Sequence, residues 1–96
     1  MSDMVQKAVG LLNDKLNGAD IGGLVKFAIE GEGAIMLDDS GARAADEDAD
    51  VTLSADAETF QGILEGTVNA TAAFMSGQLS VDGDMGLAMN LASALA

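Results

Sequence analysis

The 96-residue sequence contains no histidine, cysteine, tryptophan, tyrosine or proline. Without histidine or cysteine, the chain cannot build a Ser–His or Cys–His nucleophilic pair, a histidine general base, or a zinc site of thiolates and imidazoles. Carboxylates could still do acid–base work, but no pair of them stands beside a recognisable substrate-binding element. We therefore expect a protein that is not an enzyme and that uses no cofactor and no metal ion.

Basic residues are almost as scarce. Sixteen acidic residues face four basic ones, and the formal net charge is −12; the basic residues are Lys7, Lys15, Lys26 and Arg43. Because nucleic-acid binding needs cations that neutralise phosphates, nucleic acid is excluded as a partner. The acidic surface favours solubility, and a docking surface for a basic protein partner is the alternative.

Long apolar runs are also missing. Apolar residues make up 49% of the chain, which is typical of a globular protein, yet no run approaches the roughly 20 residues that span a membrane. The first ten residues lack the apolar core of a signal peptide, and the last residues carry no lipidation motif. We expect one domain over residues 1–96 and a cytoplasmic location.

The spacing of the apolar residues that are present predicts helices and strands. A first helix is indicated by Val5, Val9, Leu12 and Leu16, with Asp3 as its N-cap, Gln6 completing a capping box and Gly18 ending it. Alternation predicts strands over residues 24–30, 34–38 and 50–55, whereas residues 43–47 fit either a short strand or a loop.

The period then changes from two to that of a helix. Asp56 and Asn69 are predicted N-caps of two helices that end at Gly66 and Gly77. Residues 78–82 form a last predicted strand that Gly83 breaks, and Asp84 caps a final helix. Segregated strands and helices favour an α+β fold with a mainly antiparallel sheet.

The segment Asp46-Glu47-Asp48-Ala49-Asp50 begins with the spacing of a calcium-binding EF-hand loop. Two further requirements of that loop fail: Val51 replaces the glycine of the sharp turn, and Ala57 replaces the bidentate glutamate. We therefore interpret the segment as a solvated acidic turn.

Residues from position 60 onward share a specific order and spacing with a known family. They are Phe60, Ile63-Leu64, Gly66, Ala73-Phe74-Met75-Ser76-Gly77, Leu79-Ser80-Val81, Gly83-Asp84 and Met85. This pattern resembles the sterol-carrier-protein-2 family, and the resemblance extends over roughly residues 24–95. The chain departs from the family pattern at Gln78, where lysine is usual, and at Asn69-Ala70, where proline is common.

The resemblance implies a five-stranded sheet covered on one face by helices, with an apolar tunnel between the two layers. It also implies non-catalytic binding of a fatty acid, fatty acyl-CoA, sterol or other lipid. We expect the tunnel to be lined by Leu37, Leu53, Phe60, Leu64, Phe74, Met75, Met85, Met89 and Leu91. The alternative function is an accessory domain of a lipid- or quinone-metabolism complex, with a collapsed pocket.

Overall fold

The computed structural model describes residues 3–16 and 21–95 of the chain. In chain order the elements are α1 (Asp3–Lys15), β1 (Val25–Glu30), β2 (Gly33–Asp38), β3 (Gly41–Ala44), β4 (Val51–Asp56), α2 (Ala57–Glu65), α3 (Ala70–Met75), β5 (Ser80–Gly83) and α4 (Met85–Leu95). The α+β class and the five-stranded sheet expected from the sequence are confirmed.

The strands are ordered β3-β2-β1-β4-β5. Three neighbouring pairs are antiparallel, and the central pair, β1 with β4, is parallel. The sheet is thus mixed, although mainly antiparallel as expected. Periodicity could not reveal the parallel pair, because a residue pattern shows which face a strand buries but not which strand lies beside it.

Alternation along the strands creates one apolar face. In β1 and β4 every second residue is buried, beginning with Val25 and Val51. The helices pack on this face, and the rings of Phe27 in β1 and Phe60 in α2 meet with centroids 5.1 Å apart. The main core therefore lies between the sheet and a single layer of helices.

The predicted caps of the later helices are present. The Asp56 carboxylate accepts a hydrogen bond from the Thr59 backbone at 2.7 Å, and the Asn69 side chain accepts one from Ala72 at 3.0 Å. The Asp84 carboxylate likewise accepts from the Leu87 backbone at 3.1 Å. These side chains satisfy amide groups that have no partner inside the first turn of a helix.

Some predicted boundaries are wrong. Asp3 lies inside the first turn of α1 rather than before it. Its negative charge there still interacts favourably with the positive end of the helix dipole. The last strand begins at Ser80 instead of 78, because backbone hydrogen bonds that close α3 reach as far as Leu79. Residues 41–44 form a strand and residues 45–49 do not; the predicted stop at Gly18 lies outside the described residues.

The chain between β3 and β4 crosses the opposite face of the sheet. Lys26 Nζ contacts Asp46 Oδ1 at 2.9 Å, and Arg43 contacts Glu47 at 3.4 Å and Asp38 at 3.0 Å. Lys26 and Arg43 flank Met36 in the strand register, and Met36 is 0% exposed. The acidic segment therefore packs over this face by ion pairing, while the side chains of Asp46 and Glu47 remain 76% and 53% exposed, as expected of a solvated acidic segment.

The acidic segment disperses its carboxylates among different partners. Whereas Asp46 and Glu47 pair with cations, the Asp50 carboxylate accepts a hydrogen bond from the Leu24 backbone at 3.0 Å. Over residues 3–16 and 21–95, no cluster of three or more carboxylates is placed to hold a metal ion. Within the same ranges, no helix is long and apolar enough to cross a membrane.

Candidate functional site: an apolar cavity between the sheet and the C-terminal helices

The floor of the cavity is a row of apolar side chains across three neighbouring strands. Leu53 in β4 pairs with Phe27 in β1 on one side and with Val81 in β5 on the other. Residues paired directly in a sheet point to the same face, so the three side chains form a continuous surface beneath the helices. All three line the cavity.

The walls come from the last three helices. Met85, Ala88, Met89 and Ala92 lie at the i, i+3, i+4 and i+7 positions of α4, and they share one face of that helix. The remaining lining residues are Phe60 and Ile63 of α2, Ala70, Thr71 and Phe74 of α3, and Leu79 before β5. The cavity is thus a space between two layers, closed by elements from the second half of the chain.

The cavity is apolar and narrow. Among its lining residues Thr71 alone has a polar side chain, and none is ionisable. Its volume is about 40 Å³, well below the roughly 300 Å³ of a typical small-molecule pocket. The rim is open to solvent at Phe74, Met85 and Met89, which are 39%, 44% and 52% exposed.

Five of the nine residues expected to line a tunnel meet at this cavity: Leu53, Phe60, Phe74, Met85 and Met89. Strand pairing places Leu53 in the floor of the cavity, and helical spacing places Met85 and Met89 together on the face of α4 that forms its wall. Methionine and phenylalanine at the rim give it side chains that can change rotamer without breaking a hydrogen bond.

The other four expected residues lie elsewhere. Leu37 packs in the half of the sheet that α1 covers, and Leu64 faces the groove between α1 and α2. Leu91 is buried in the main core, on a different side of α4 from the cavity face. Met75 is 81% exposed, because α3 packs through Ala73 and a residue two positions further points the other way.

Eight lining residues were absent from the expected set: Phe27, Ile63, Ala70, Thr71, Leu79, Val81, Ala88 and Ala92. Phe27 carried a signal in the alternation of its strand, and Leu79 and Val81 carried one in theirs. Nothing in the pattern of a single strand, however, says that Phe27 and Val81 lie on either side of Leu53. That information resides in the order of the strands.

The perturbed ionisable groups lie away from the cavity. A hydrogen bond from Arg43 lowers the pKa of Asp38, and a hydrogen bond from the Thr59 backbone lowers the pKa of Asp56. Both are structural contacts, one to a strand-borne cation and the other at a helix cap. The arrangement therefore offers a surface for apolar contact rather than groups for proton transfer.

A comparison with protein-family models matches residues 4–96 to the SCP-2 sterol transfer family. The chain belongs to the SCP-2 sterol transfer family. Hydroxysteroid dehydrogenase-like protein 2 of Danio rerio is 42% identical over 82 residues, covering 77% of this chain and 20% of the relative. Its Xenopus tropicalis counterpart is 32% identical over 93 residues, covering 97% of this chain and 21% of the relative. The chain spans about a fifth of the length of these curated relatives.

Solved structures of SCP-2 proteins share the fold. Sterol carrier protein 2 like 2 from Aedes aegypti superposes with a TM-score of 0.77 at 20% identity, covering 94% of both chains. Sterol carrier protein 2 from the same organism, in complex with the C16 fatty acid palmitate, gives a TM-score of 0.79 at 21% identity, covering 100% of this chain and 97% of that one. The five-stranded sheet with its helical layer is therefore the SCP-2 fold.

Proposed function

We propose that residues 1–96 form a non-catalytic SCP-2 domain that binds one hydrophobic ligand, a fatty acid or fatty-acyl lipid, in the cavity between the sheet and helices α2 to α4. The observation that carries the proposal is the apolar floor and walls, in which Thr71 is the single polar side chain, opening to solvent through exposed Phe74, Met85 and Met89. Membership of a sterol transfer family and the fold shared with a palmitate-bound protein support it.

Ligand entry requires the cavity to expand. An acyl chain of about 16 carbons gains on the order of 13 kcal/mol from burying its methylenes, which can offset the cost of parting the layers. Helices α3 and α4 are the elements to move, because α3 has six residues and neither helix carries a charged side chain. Their contacts are consequently apolar and adaptable.

An accessory domain within a larger enzyme or complex is the second candidate. The narrow cavity of about 40 Å³ favours it, since a filled core binds no lipid. The matched relatives are dehydrogenase-like proteins about five times as long as this chain, and a structure described as the UbiJ-SCP2 ubiquinone synthesis protein shares the fold with a TM-score of 0.58. In that function the acidic surface would bind a basic partner.

Filling the cavity tests the first candidate directly. Ala88 is buried on α4 and faces the cavity, so Ala88→Leu adds three carbons where the ligand would lie. We expect this variant to lose uptake of a fluorescent C16 fatty acid by at least about tenfold, while its circular dichroism stays native. Ala8→Leu is the matched control, because Ala8 is equally buried but faces the groove between α1 and α2.

The two variants separate a blocked cavity from a general loss of stability. Lipid binding in this cavity requires that Ala88→Leu abolish uptake and that Ala8→Leu retain it. Equal uptake by both folded variants would contradict the proposed cavity. Failure of the wild-type chain to take up any fatty acid would transfer support to the accessory-domain function.

A further inference from the structure

We propose that Met85 and Met89 are a reversible oxidation site at the mouth of the cavity, where a peroxide converts their thioethers to sulfoxides and thereby weakens lipid binding. This inference goes beyond the proposed function but rests on it, since the effect of oxidation is measured on the same cavity. Both residues line the cavity, and both are exposed to solvent. An oxidant dissolved in water therefore reaches the two sulfur atoms that a bound lipid tail would cover.

Methionine supplies all of the sulfur in this chain. The sequence has six methionines and no cysteine. Cysteine thiolates are the other sulfur groups that peroxides oxidise, and without them a peroxide that attacks sulfur here attacks a thioether. The exposure of each methionine consequently decides where oxidation occurs.

That exposure separates the methionines into distinct groups. Among the described residues, the exposed large apolar side chains are Phe74, Met75, Met85 and Met89. Met75 is the most exposed of them, but α3 directs it away from the cavity. Met36 is fully buried on the opposite face of the sheet. The chain thus carries methionines that are exposed at the cavity, exposed elsewhere and buried, and each group has its own expected reactivity.

The reaction is a transfer of one oxygen atom with two electrons. A lone pair on the methionine Sδ attacks one oxygen of hydrogen peroxide, the O–O bond breaks, and an S–O bond forms. The other oxygen leaves as water after it takes up the proton of the transferred oxygen. The sulfur is oxidised to a sulfoxide while the peroxide is reduced, and methionine sulfoxide reductases reverse the change.

A sulfoxide at the mouth of the cavity opposes lipid binding. Among the lining residues Thr71 alone has a polar side chain, so a sulfoxide oxygen covered by an acyl chain finds few hydrogen-bond donors. Burying a polar group without a partner is unfavourable, and this cost arises only in the complex, because water solvates the group in the free protein. Met85 and Met89 lie four residues apart on α4, so both place their sulfoxides on the cavity face.

The first measurement locates the oxidation. Mass spectrometry of peptic peptides measures the rate of oxygen addition at each methionine in dilute hydrogen peroxide. We expect Met75, Met85 and Met89 to react and Met36 to remain reduced. Saturation with palmitate, which lacks a double bond to oxidise, should slow the reaction of Met85 and Met89 several-fold and leave that of Met75 unchanged. Identical rates with and without palmitate at all three would overturn the assignment to the cavity mouth.

The second measurement links oxidation to binding. Titration with a fluorescent C16 fatty acid gives the Kd before and after peroxide treatment for the wild type, the double variant Met85→Leu/Met89→Leu and the control Met75→Leu. Leucine removes the sulfur and nearly keeps the volume. The ratio of the two Kd values is compared within each protein, so that any effect of the substitution itself cancels.

We expect peroxide to raise the Kd about tenfold in the wild type and in Met75→Leu, and to change it little in the double variant. Methionine sulfoxide reductases should restore the wild-type Kd. An unchanged wild-type Kd after Met85 and Met89 have gained oxygen would overturn the proposal and leave the lipid cavity standing, as would an equal rise in the double variant.

Met36 reports whether the fold survives the treatment. Because it is fully buried, its oxidation would indicate unfolding, and a loss of binding that accompanies it would also overturn the proposal. If the untreated wild type binds no fatty acid, the proposed lipid-binding function is itself contradicted.

Discussion

Asp56 is both the last residue of β4 and the N-cap of α2, and it acts through a single carboxylate. That carboxylate accepts the hydrogen bond from the Thr59 backbone, which lowers the pKa of Asp56 below its ordinary value of 3.8. A group whose pKa is lower in the folded state stabilises that state above its unfolded pKa, and the contribution disappears as the pH falls through the folded pKa. Asp56 therefore favours the folded state at neutral pH but not in strong acid.

The Asp56→Asn variant isolates this contribution, because asparagine is a good N-cap that does not titrate between about pH 3 and about pH 6. We expect the wild type to melt at a higher temperature than Asp56→Asn near pH 6, and this difference to shrink towards pH 3. Thermal melts across that range measure it. A difference in melting temperature that stays constant or grows on acidification would contradict a stabilising role for the Asp56 charge at the helix cap.

Single residues were the most predictable level of the structure. The caps Asp56, Asn69 and Asp84 could be assigned because a short polar side chain before an apolar period has one local use, and that use needs no knowledge of distant strands. The cavity residues were less predictable. Phe60 and Leu64 are four residues apart on the same side of α2 and look equivalent in the sequence, but Phe60 lines the cavity whereas Leu64 faces the groove between α1 and α2.

At the scale of elements, α1 protects the free edge of the sheet. Strand β3 lies at one end of the strand order, where its outward backbone groups would be unpaired. The Asn13 side chain forms hydrogen bonds with these backbone groups at Ala42. Its Nδ2 donates to the Ala42 carbonyl at 3.2 Å, and its Oδ1 accepts from the Ala42 amide at 2.8 Å. One side chain of α1 thus takes the place of a residue in an additional strand.

Replacing Asn13 with alanine should expose this edge. We expect Asn13→Ala to lower the free energy of unfolding by about 1–2 kcal/mol, since two hydrogen bonds are lost at an exposed site. Amide hydrogen exchange at Ala42 should accelerate more than exchange elsewhere in the sheet. The neighbouring exposed residue provides the control: Asp14→Ala should leave exchange at Ala42 unchanged, and acceleration in both variants would contradict the specific role of Asn13.

The central parallel pair shows why the site was harder to predict than the elements. Each strand could be found from its own alternation, but the floor of the cavity forms only because β4 lies next to β1 after the chain has crossed two strands. Along that crossing, the acidic segment at residues 46–50 packs over Lys26 and Arg43. Its charge pattern alone resembled a metal-binding loop, and the strand-borne cations reveal its structural use.

At the scale of the whole molecule, charge and apolar surface are segregated. All four basic residues and all but two of the sixteen acidic ones precede residue 66; the two exceptions are Asp82 and Asp84. The uncharged helices α3 and α4 cover the cavity and present Phe74, Met75, Met85 and Met89 at the surface. The charged part of the chain gives the protein its acidic surface and most of the floor of the cavity, and the uncharged part supplies the helices that cover the proposed lipid site.

The most direct test of this account is a methyl NMR titration of the wild-type chain with a C16 fatty acid. We predict one-to-one binding, with the largest shifts at the methyl groups of Leu53, Val81 and Met89 at the cavity. The methyls of Leu37 and Leu64, which pack towards α1, should move little. Two results would contradict a lipid site between the sheet and the C-terminal helices. One is binding that shifts the Leu37 and Leu64 methyl signals instead, and the other is the absence of any shift at a saturating concentration of the fatty acid.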